Sequence, residues 1–313
     1  MKSVIFNSYG DSDVLEIIEL ERPMVPDNKL LIKVKASSVN PIDYKIRRGD
    51  IKILTGKKFP KFAGSDFSGV IEVVGKNVSG YEAGDEVYGF LNPMKGGAYS
   101  EYLIADPINI SLKPEKLSFE EAATMPVAAL TALQALTYLA DIREGVKILI
   151  NGATGGVGSF AVQIAKTLGA EVIGICSEKN VDLCKNIGAD RVYDYSKNEI
   201  MESNEKYDIF FDVVAKTTFK ESKKLLRNSG TYITTIPDSK IIFRKIFNFF
   251  PNKKKAKFVM VKSSGIDLSI LTGFVMTGTV KPVIENLFEL SDISKAQELA
   301  ESGKFRGKIA IKL

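Results

Sequence analysis

The sequence predicts an α/β protein of two domains, a β-barrel-like domain followed by a parallel sheet that helices cover on both faces. Its 313 residues exceed one ordinary domain and suit two. Residues 1–122 contain short apolar segments broken by glycine and proline, whereas residues 123–262 alternate between strand and helix patterns. Such alternation is typical of a doubly wound parallel sheet. Residues 263–313 return to mixed structure and end in a predicted strand.

Three apolar segments predict strands in the first domain, namely Leu30–Ala36, Ser68–Gly75 and Glu86–Gly89. Turn dipeptides such as Gly10-Asp11 and Gly84-Asp85 separate such segments. The spacing of short strands and turns therefore favours a compact, barrel-like sheet.

Strand and helix patterns alternate after residue 118. Ser118 and Glu121 match a capping box, in which an N-cap hydroxyl and a glutamate three residues later cap the start of a helix. Pro126 interrupts the apolar helical segment that follows. The strands and helices predicted beyond it are, in order, 147–151, 156–168, 170–175, 180–187, 207–214 and 230–236.

The composition excludes several kinds of chemistry. The chain has no histidine and two cysteines, Cys176 and Cys184, so it lacks the residues for a Ser-His-Asp triad, a Cys-His nucleophile or a tetrahedral zinc site. Both cysteines are expected to be free thiols. The 43 basic and 38 acidic residues give a net charge of +5, which is too small to indicate a nucleic-acid partner. No apolar run reaches about 18 residues, and we expect a cytoplasmic protein.

A glycine-rich turn between a strand and a helix predicts a dinucleotide site. The apolar strand Ile148–Asn151 leads directly into residues 152–158, whose sequence is GATGGVG, and a helical pattern follows. On the dinucleotide-binding template, Gly155 lets the main chain approach the pyrophosphate, and Gly158 lets helix and strand pack closely. The helix N-terminus adds N–H donors for the phosphates. The candidate cofactor-binding residues in this turn are Thr154, Gly155, Gly156 and Val157.

The end of the next strand bears on the choice between NADH and NADPH. An NAD site places an acid there, about 20 residues beyond the turn, against the ribose 2′-hydroxyl. Here Ser177 and Lys179 can contact a 2′-phosphate through a hydrogen bond and a point charge. Alternatively, Glu178 accepts a hydrogen bond from the ribose, as in an NAD site. A second alternative is that Glu178 and Lys179 are solvated loop residues without a contact to the cofactor. The residues together favour NADPH.

Several motifs occur in an order found in one superfamily. They are Asn40–Lys45, Gly64–Val70, Gly84–Gly89, Gly96–Tyr102, Leu130–Leu133 and Gly188–Tyr195. On these motifs the chain resembles the medium-chain dehydrogenase/reductase superfamily over essentially its whole length, and within it the zinc-independent quinone oxidoreductase and alkenal/enone reductase branch. The resemblance implies a GroES-like β-barrel catalytic domain (1–122, completed by 263–313), a Rossmann dinucleotide-binding domain (123–262) and a homodimer.

The departures from the zinc alcohol dehydrogenases of this superfamily concern the metal ligands. Those enzymes carry a Cys-His pair where this chain has Asn40-Pro41, and a His-Glu pair where it has Ser65-Asp66. A cysteine-rich segment for a structural zinc is also missing between residues 89 and 97. Alcohol oxidation without a Lewis acid loses the means of polarising its alkoxide. Hydride addition to a conjugated acceptor needs less help, because the negative charge is delocalised.

The resemblance also implies further contacts with the cofactor. Thr131 is expected beside the nicotinamide, Tyr195 and Lys179 beside the adenosine phosphate, and Val214 and Lys308 elsewhere along the cofactor. The alternative for Thr131 is helix packing, and the alternative for Lys308 is a solvated strand end.

Catalytic residues are expected in the segment that faces the nicotinamide in the family, where Asn40, Tyr44 and Lys45 lie. Lys45 or Tyr44 can donate a hydrogen bond to the oxyanion that develops on the acceptor. Lys45 is alternatively a surface lysine beside Arg47 and Arg48, and Asp43 is alternatively a helix cap. Solvent can supply the proton.

These features predict a reductase that transfers hydride from NADPH to a quinone or an α,β-unsaturated carbonyl without zinc. The alternative is an NADPH-sensing module with little turnover, which acts on a partner or a membrane through residues 241–257. That segment combines aromatic residues with a lysine cluster, a composition that suits an interfacial membrane contact, an active-site flap or a dimer surface. Its apolar stretch is short and Pro251 breaks it, so membrane contact is the less favoured interpretation.

Overall fold

The computed structural model describes residues 1–197, 200, 204–236 and 254–313. The chain divides into two compact units. Unit 1 contains Met1–Leu130, Ser263–Thr277 and Pro282–Leu313, and unit 2 contains Thr131–Lys262 and Gly278–Lys281. The predicted α/β fold with a parallel sheet is confirmed.

The strands and helices alternate more regularly in unit 2 than in unit 1. The strands are β1 (Lys2–Phe6), β2 (Leu15–Glu19), β3 (Leu30–Val39), β4 (Lys61–Phe62), β5 (Asp66–Val74), β6 (Glu86–Phe90), β7 (Tyr102–Ala105), β8 (Ile110–Leu112), β9 (Lys147–Asn151), β10 (Glu171–Cys176), β11 (Arg191–Asp194), β12 (Tyr207–Asp212), β13 (Leu226–Thr234), β14 (Lys255–Phe258), β15 (Ile284–Glu289) and β16 (Lys308–Lys312). The helices are α1 (Pro41–Arg48), α2 (Lys52–Thr55), α3 (Phe119–Ala123), α4 (Pro126–Gln134), α5 (Gly156–Thr167), α6 (Val181–Asn186), α7 (Phe219–Ser222), α8 (Gly265–Met276) and α9 (Ile293–Ser302).

Unit 1 is built on two sheets. One sheet has the order β15-β16-β3-β5-β6-β8, with β7 also pairing with β3, and the other has the order β2-β1-β4. The long strand β3 is central, since it pairs antiparallel with β5, β7 and β16. Buried apolar side chains of these strands form the core beside it, among them Leu30, Ile32, Val34, Phe67 and Ile71.

The carboxyl-terminal strand β16 determines where Lys308 lies. It runs antiparallel to β3, with Ile309 opposite Val39. Val39 is the last residue of β3, and Asn40 follows it as the N-cap of α1. Because Lys308 precedes Ile309, this register brings the lysine next to the junction between β3 and α1.

Unit 2 is a sheet of order β11-β10-β9-β12-β13-β14, and its described pairings are all parallel. Ile148, Leu149 and Ile150 of β9 are fully buried, as expected for a strand covered on both faces. The chain continues from β9 to β10 on one side, and β12 lies on the other side. The strand order therefore reverses beside β9, and ligands of such sheets bind at the carboxyl ends of the strands at that point.

The predicted helix start at Ser118 is confirmed. The main-chain N of Ser118 donates to Oε2 of Glu121 at 2.8 Å, and the main-chain N of Glu121 donates to Oγ of Ser118 at 3.2 Å. The interruption at Pro126 is also present, because α3 ends before it and α4 begins with it. Proline suits the first helical position, where its missing N–H costs nothing. Cys176 and Cys184 are free and buried, as expected.

The basic segment 241–257 is only partly described. Residues 241–253 lie outside the described residues, and Lys255–Phe258 forms β14 beside β13. Ala256 of this strand is buried. In the part of the chain that the structure describes, no helix has both the length and the apolar character needed to cross a membrane.

Candidate active site

The carboxyl edge of the unit 2 sheet carries the turns that follow β9, β10, β11 and β12. Parallel strands end at the same edge of a sheet, so these turns lie side by side. The predicted cofactor residues in them or at the start of α5 are Thr154, Gly155, Gly156, Val157, Ser177, Lys179, Tyr195 and Val214. Thr131, the predicted neighbour of the nicotinamide, is buried in α4 and belongs to none of these turns.

The glycine turn has the form that a pyrophosphate site requires. A Cβ on Gly158 would lie 1.9 Å from the main-chain oxygen of Gly152, so only glycine allows this approach of α5 to the end of β9. A Cβ on Gly155 would lie 3.4 Å from the same oxygen and would meet no other neighbour. The main chain at Gly155 is therefore open. Because α5 begins at Gly156, its N-terminal N–H groups and dipole favour an anion at this opening.

Asn180 is a cofactor candidate that the sequence analysis missed. It is 9% exposed, and its Nδ2 donates to Oγ1 of Thr154 at 3.3 Å. Its Oδ1 is buried and accepts no hydrogen bond from the described residues. An unsatisfied buried acceptor costs about 1–3 kcal/mol, so this atom fits a ligand hydroxyl such as that of a ribose. The open glycine turn and this acceptor together fit a dinucleotide.

The turn after β12 packs on the glycine turn. A Cβ on Gly152 would lie 2.6 Å from Cγ1 of Val214, so the two turns are in close contact. Asp212 holds the second turn in place, because its Oδ2 accepts from the main-chain N of Thr217 at 2.7 Å. Its Oδ1 accepts from Nδ2 of Asn151 at 2.9 Å. Burial raises the pKa of Asp212, against these hydrogen bonds.

The residues that bear on the ribose 2′-position face solvent. Ser177 is half-buried, Glu178 and Lys179 are exposed, and Tyr195 is 63% exposed. Oε1 of Glu178 lies 3.5 Å from Nζ of Lys197. The negative charge of Glu178 is therefore partly balanced by a neighbouring cation, whereas Lys179 presents its charge to solvent.

A second group of candidate residues lies in unit 1, and we call it the buried polar cluster. Its members are Ser38, Asn40, Asp43, Ser65, Asp66, Tyr99 and Lys308, each at most 7% exposed. The cluster forms where the end of β3, the start of α1, the start of β5 and the start of β16 meet. Two of the predicted site residues, Asn40 and Lys308, are thus brought together.

Lys308 and Asp66 hold the Asn40 amide between them. Nζ of Lys308 donates to Oδ1 of Asn40 at 2.6 Å and to the main-chain oxygen of Val39 at 3.2 Å, and it lies 3.5 Å from Oδ2 of Asp66. Nδ2 of Asn40 donates to Oδ2 of Asp66 at 2.8 Å. The main-chain N of Val127, in the first turn of α4, donates to Oδ1 of Asp66 at 2.9 Å. Burial lowers the pKa of Lys308, against the attraction of Asp66.

Asp43 caps α1 and joins the cluster. Its Oδ2 accepts from the main-chain N of Asn40 at 2.8 Å and from the hydroxyl of Tyr99 at 3.3 Å. Its Oδ1 accepts from Oγ of Ser65 at 2.8 Å. Burial raises the pKa of Asp43 to about 7, although the bonds from Asn40 and Ser65 favour its charged form. Burial also raises the pKa of Tyr99, which keeps its hydroxyl a neutral donor.

The other two predicted catalytic residues lie on α1 outside the cluster. Tyr44 is partly buried and packs on the apolar core of unit 1, and burial raises its pKa. Lys45 is half-buried. Among the described residues, neither side chain forms a hydrogen bond to the cluster. Arg47, two residues after Lys45 on the same helix, is fully buried, and its Nε donates to Oε1 of Gln297 at 2.7 Å.

The buried polar cluster does not fit a zinc ion. At the positions of the zinc ligands it offers the amide of Asn40, the hydroxyl of Ser65 and the carboxylate of Asp66, whereas zinc sites are built chiefly from thiolate and imidazole. The Lys308 ammonium already lies beside the carboxylate and would repel a metal ion. Within the described ranges, no group of three or more potential ligands among Cys, Asp and Glu is placed to hold a metal.

Comparison with known proteins places the whole chain in one family. The alcohol dehydrogenase GroES-like domain matches residues 26–115, and the zinc-binding dehydrogenase domain matches residues 187–311. The chloroplast envelope quinone oxidoreductase homolog of Arabidopsis thaliana is 31% identical over 99% of this chain and 98% of its own length. The 2-methylene-furan-3-one reductase of Solanum lycopersicum is 32% identical over 99% and 79%. The structure of the quinone oxidoreductase from Coxiella burnetii has a TM-score of 0.92 at 32% identity, covering 100% of this chain and 99% of that chain.

The chain therefore belongs to the medium-chain dehydrogenase/reductase superfamily. Within it, the relatives place the chain in the quinone-oxidoreductase-like branch. The predicted membership, the GroES-like domain and the Rossmann-type sheet are confirmed. The names of these relatives support an oxidoreductase role for the protein.

Proposed function

We propose that the protein is an NADPH-dependent, zinc-independent reductase that transfers hydride to a quinone or an α,β-unsaturated carbonyl. The observation that carries the proposal is the carboxyl edge of unit 2. The turns at this edge include the open main chain at Gly155 and the buried acceptor Oδ1 of Asn180. The Arabidopsis and tomato relatives, one a quinone oxidoreductase homolog and the other a 2-methylene-furan-3-one reductase, support the two acceptor classes.

Asn40 supplies a hydrogen-bond donor for the acceptor. When bound, the reduced nicotinamide supplies the hydride, and negative charge then develops on the oxygen of a conjugated acceptor. One Nδ2 hydrogen of Asn40 is used on Asp66, and the second is used on none of the described residues. A donor fixed in a buried setting stabilises an oxyanion more than one in water does. Tyr44 and Lys45 on α1 are proposed as further donors, and solvent supplies the proton.

The donor set of the chain supports zinc independence. The sequence has no histidine, and the buried polar cluster holds an ammonium among the positions of the zinc ligands. We expect purified protein to contain no stoichiometric zinc by elemental analysis, and its turnover to be unchanged by 1,10-phenanthroline. Stoichiometric zinc whose removal abolishes turnover would overturn this part of the proposal.

The preference for NADPH rests on charge at the end of β10. Lys179 is exposed there and Glu178 lies beside Lys197, so the positive charge is the one available to a 2′-phosphate. Ser177 and Tyr195 on neighbouring turns offer hydroxyls to the same group. These contacts are absent for NADH, which has no phosphate at that position.

Turnover with a panel of acceptors tests the reductase activity. The protein is mixed with NADPH and a series of quinones, enones and simple ketones, and the loss of NADPH absorbance is followed. We expect turnover with quinones or enones and none with simple ketones. Tight NADPH binding without turnover of any acceptor would contradict an enzyme and favour the NADPH-sensing module.

Substitution of Lys179 tests the cofactor preference. Lys179→Ala removes the exposed charge, and we expect the Kd of NADPH to rise about tenfold while that of NADH changes less than about twofold. The matched control is Lys206→Ala, an exposed lysine that precedes β12 at the opposite edge of the same sheet. Equal weakening of both cofactors in Lys179→Ala would show that Lys179 does not contact the 2′-phosphate.

A further inference from the structure

The amide of Asn40 has only one orientation that its neighbours accept. An ammonium can only donate hydrogen bonds, and an ionised carboxylate can only accept them. Lys308 lies against Oδ1 of Asn40, and Asp66 lies against Nδ2. The two charged groups therefore fix which end of the amide is oxygen and which is nitrogen, although the two ends are nearly equal in shape.

Packing alone does not account for a lysine at this position of β16. Lys308 is 3% exposed, and taking an ammonium out of water disfavours its charged form. A buried ion pair is often no more stabilising than apolar side chains of similar volume. The position therefore carries a costly residue where methionine or leucine would keep the strand buried. A role in ordering the polar groups around it explains why a lysine occupies position 308.

We propose that Lys308 is a positioning residue of the reductase reaction. Its ammonium, together with the carboxylate of Asp66, fixes the Asn40 amide so that the second Nδ2 hydrogen is held ready for the acceptor oxygen. This inference rests on the proposed function. It assigns Lys308 a contact with Asn40 in place of the cofactor contact that the family resemblance implied. A lysine ammonium thus orders the side chains at the positions where the alcohol dehydrogenases carry their zinc ligands.

A double-mutant cycle with Asn40 tests whether Lys308 acts through that residue. Lys308→Met keeps most of the side-chain volume and removes the donor. We expect kcat to fall at least about tenfold, with the KM for NADPH changed less than about threefold. Asn40→Ala lowers kcat as well, and adding Lys308→Met to it should change kcat less than about twofold, because the group to be positioned is already gone.

Two further variants separate positioning from folding. Lys308→Met alone leaves the Asp66 carboxylate buried without its cation, so the melting temperature should fall. Lys308→Met combined with Asp66→Asn removes both charges, and its melting temperature should lie above that of Lys308→Met alone, although one donor to Asp66 loses its acceptor. Its kcat should not recover. Lys308→Gln retains an N–H donor for Oδ1 of Asn40, and its kcat should lie within about fivefold of wild type. The matched control is Lys312→Met, an exposed lysine on the same strand, which should change neither quantity.

The outcomes separate this inference from the proposed function. Wild-type protein that turns over no acceptor overturns the proposed function and this inference with it. Normal wild-type turnover combined with a wild-type kcat in Lys308→Met/Asp66→Asn overturns this inference alone and makes the lysine a structural partner. Additive effects of Lys308→Met and Asn40→Ala, or equal losses in Lys308→Met and Lys308→Gln, also overturn it.

Discussion

The carboxyl edge of unit 2 is built chiefly from main-chain groups, whereas the buried polar cluster of unit 1 is built from side chains. At the carboxyl edge, residues 152–158 form the proposed binding surface almost entirely with main chain, and glycine keeps that surface open. In the buried polar cluster, side chains form the hydrogen bonds, and the bonded residues Lys308 and Asn40 are 268 residues apart in the sequence. The first region is sensitive to added volume, and the second is sensitive to lost charge.

This difference indicates which kinds of substitution each region should tolerate. A turn that offers N–H groups accepts many side chains as long as no Cβ enters the opening. A cluster whose side chains are joined by hydrogen bonds accepts few replacements, because most changes leave a buried neighbour unsatisfied. The two regions should therefore respond to different substitutions and to pH in different ways.

The largest expected effect is the pH dependence of the free energy of unfolding that arises from Asp43 in unit 1. Burial raises the pKa of this carboxyl to about 7 in the folded protein, against about 3.9 for an unfolded aspartate. Its contribution to stability is full below pH 4 and is lost as pH rises to about 7, because the unfolded chain ionises first. The loss amounts to about 4 kcal/mol. The free energy of unfolding of wild type minus that of Asp43→Asn should fall by this amount between pH 4 and 8.

A control at an exposed position sharpens that measurement. Asp50 lies just beyond α1 and is exposed, so Asp50→Asn should give a difference that stays constant within about 0.5 kcal/mol over the same pH range. A flat difference for Asp43→Asn would show that the carboxyl is ionised throughout, and that the three donors around it outweigh burial.

Two glycine substitutions should separate folding from binding at the carboxyl edge. Gly158→Ala places a Cβ 1.9 Å from the oxygen of Gly152, and such overpacking should destabilise unit 2 by about 3 kcal/mol. Gly155→Ala meets only that oxygen, at 3.4 Å, so its melting temperature should stay within about 2 °C of wild type. Its methyl group fills the opening, and the Kd of NADPH should rise at least about tenfold. Normal NADPH binding by folded Gly155→Ala would show that the pyrophosphate lies elsewhere.

The sequence was sufficient to predict the glycine turn because the turn is local. The strand, the turn and the helix are consecutive, so periodicity and glycine spacing identify all three. The fold class was predictable for the same reason, since alternating apolar patterns indicate strand and helix one after another. Asn180 was missed because asparagine carries neither charge nor a spacing pattern, and its importance comes from a buried Oδ1 that only the structure reveals.

The buried polar cluster could not be predicted because it depends on strand register. The contact between Lys308 and Asn40 requires Ile309 to lie opposite Val39, and no local pattern determines that pairing. Arg47 shows the same limit. Its neighbours in the sequence indicate a basic surface, yet its guanidinium is buried because acceptors arrive from Gln297 and from the main chain of Gly10.

A smaller effect is expected from Asn180, the side chain that complements the main-chain surface of unit 2. Its Oδ1 is the acceptor that we assign to a ribose hydroxyl, so Asn180→Ala should weaken NADPH and NADH alike, by about tenfold, which corresponds to one buried hydrogen bond. Isothermal titration of both cofactors checks this. A loss confined to NADPH would place Asn180 against the 2′-phosphate, and no loss for either would remove it from the site.

The smallest effect should come from Glu205, a carboxyl in unit 2 whose pH response is opposite to that of Asp43. Glu205 lies at the amino edge of the sheet, where its Oε1 accepts from Arg191 at 2.7 Å and also pairs with Lys147. The hydrogen bond from Arg191 lowers the pKa of Glu205 to about 2. Stability from this group is therefore present above the unfolded pKa of about 4.3 and is lost as pH falls towards 2.

Substitution of this carboxyl tests how much solvent weakens such a network. Glu205→Gln should cost less than about 1 kcal/mol at pH 7, because its partner Arg191 is solvent-exposed and screening limits the ion pair. The difference in unfolding free energy from wild type should shrink as pH falls from 5 to 2, whereas the difference for Asp43→Asn should already be at its plateau below pH 4. A difference for Glu205→Gln that grows on acidification would mean that its carboxyl is stabilised in the protonated form, as burial stabilises Asp43.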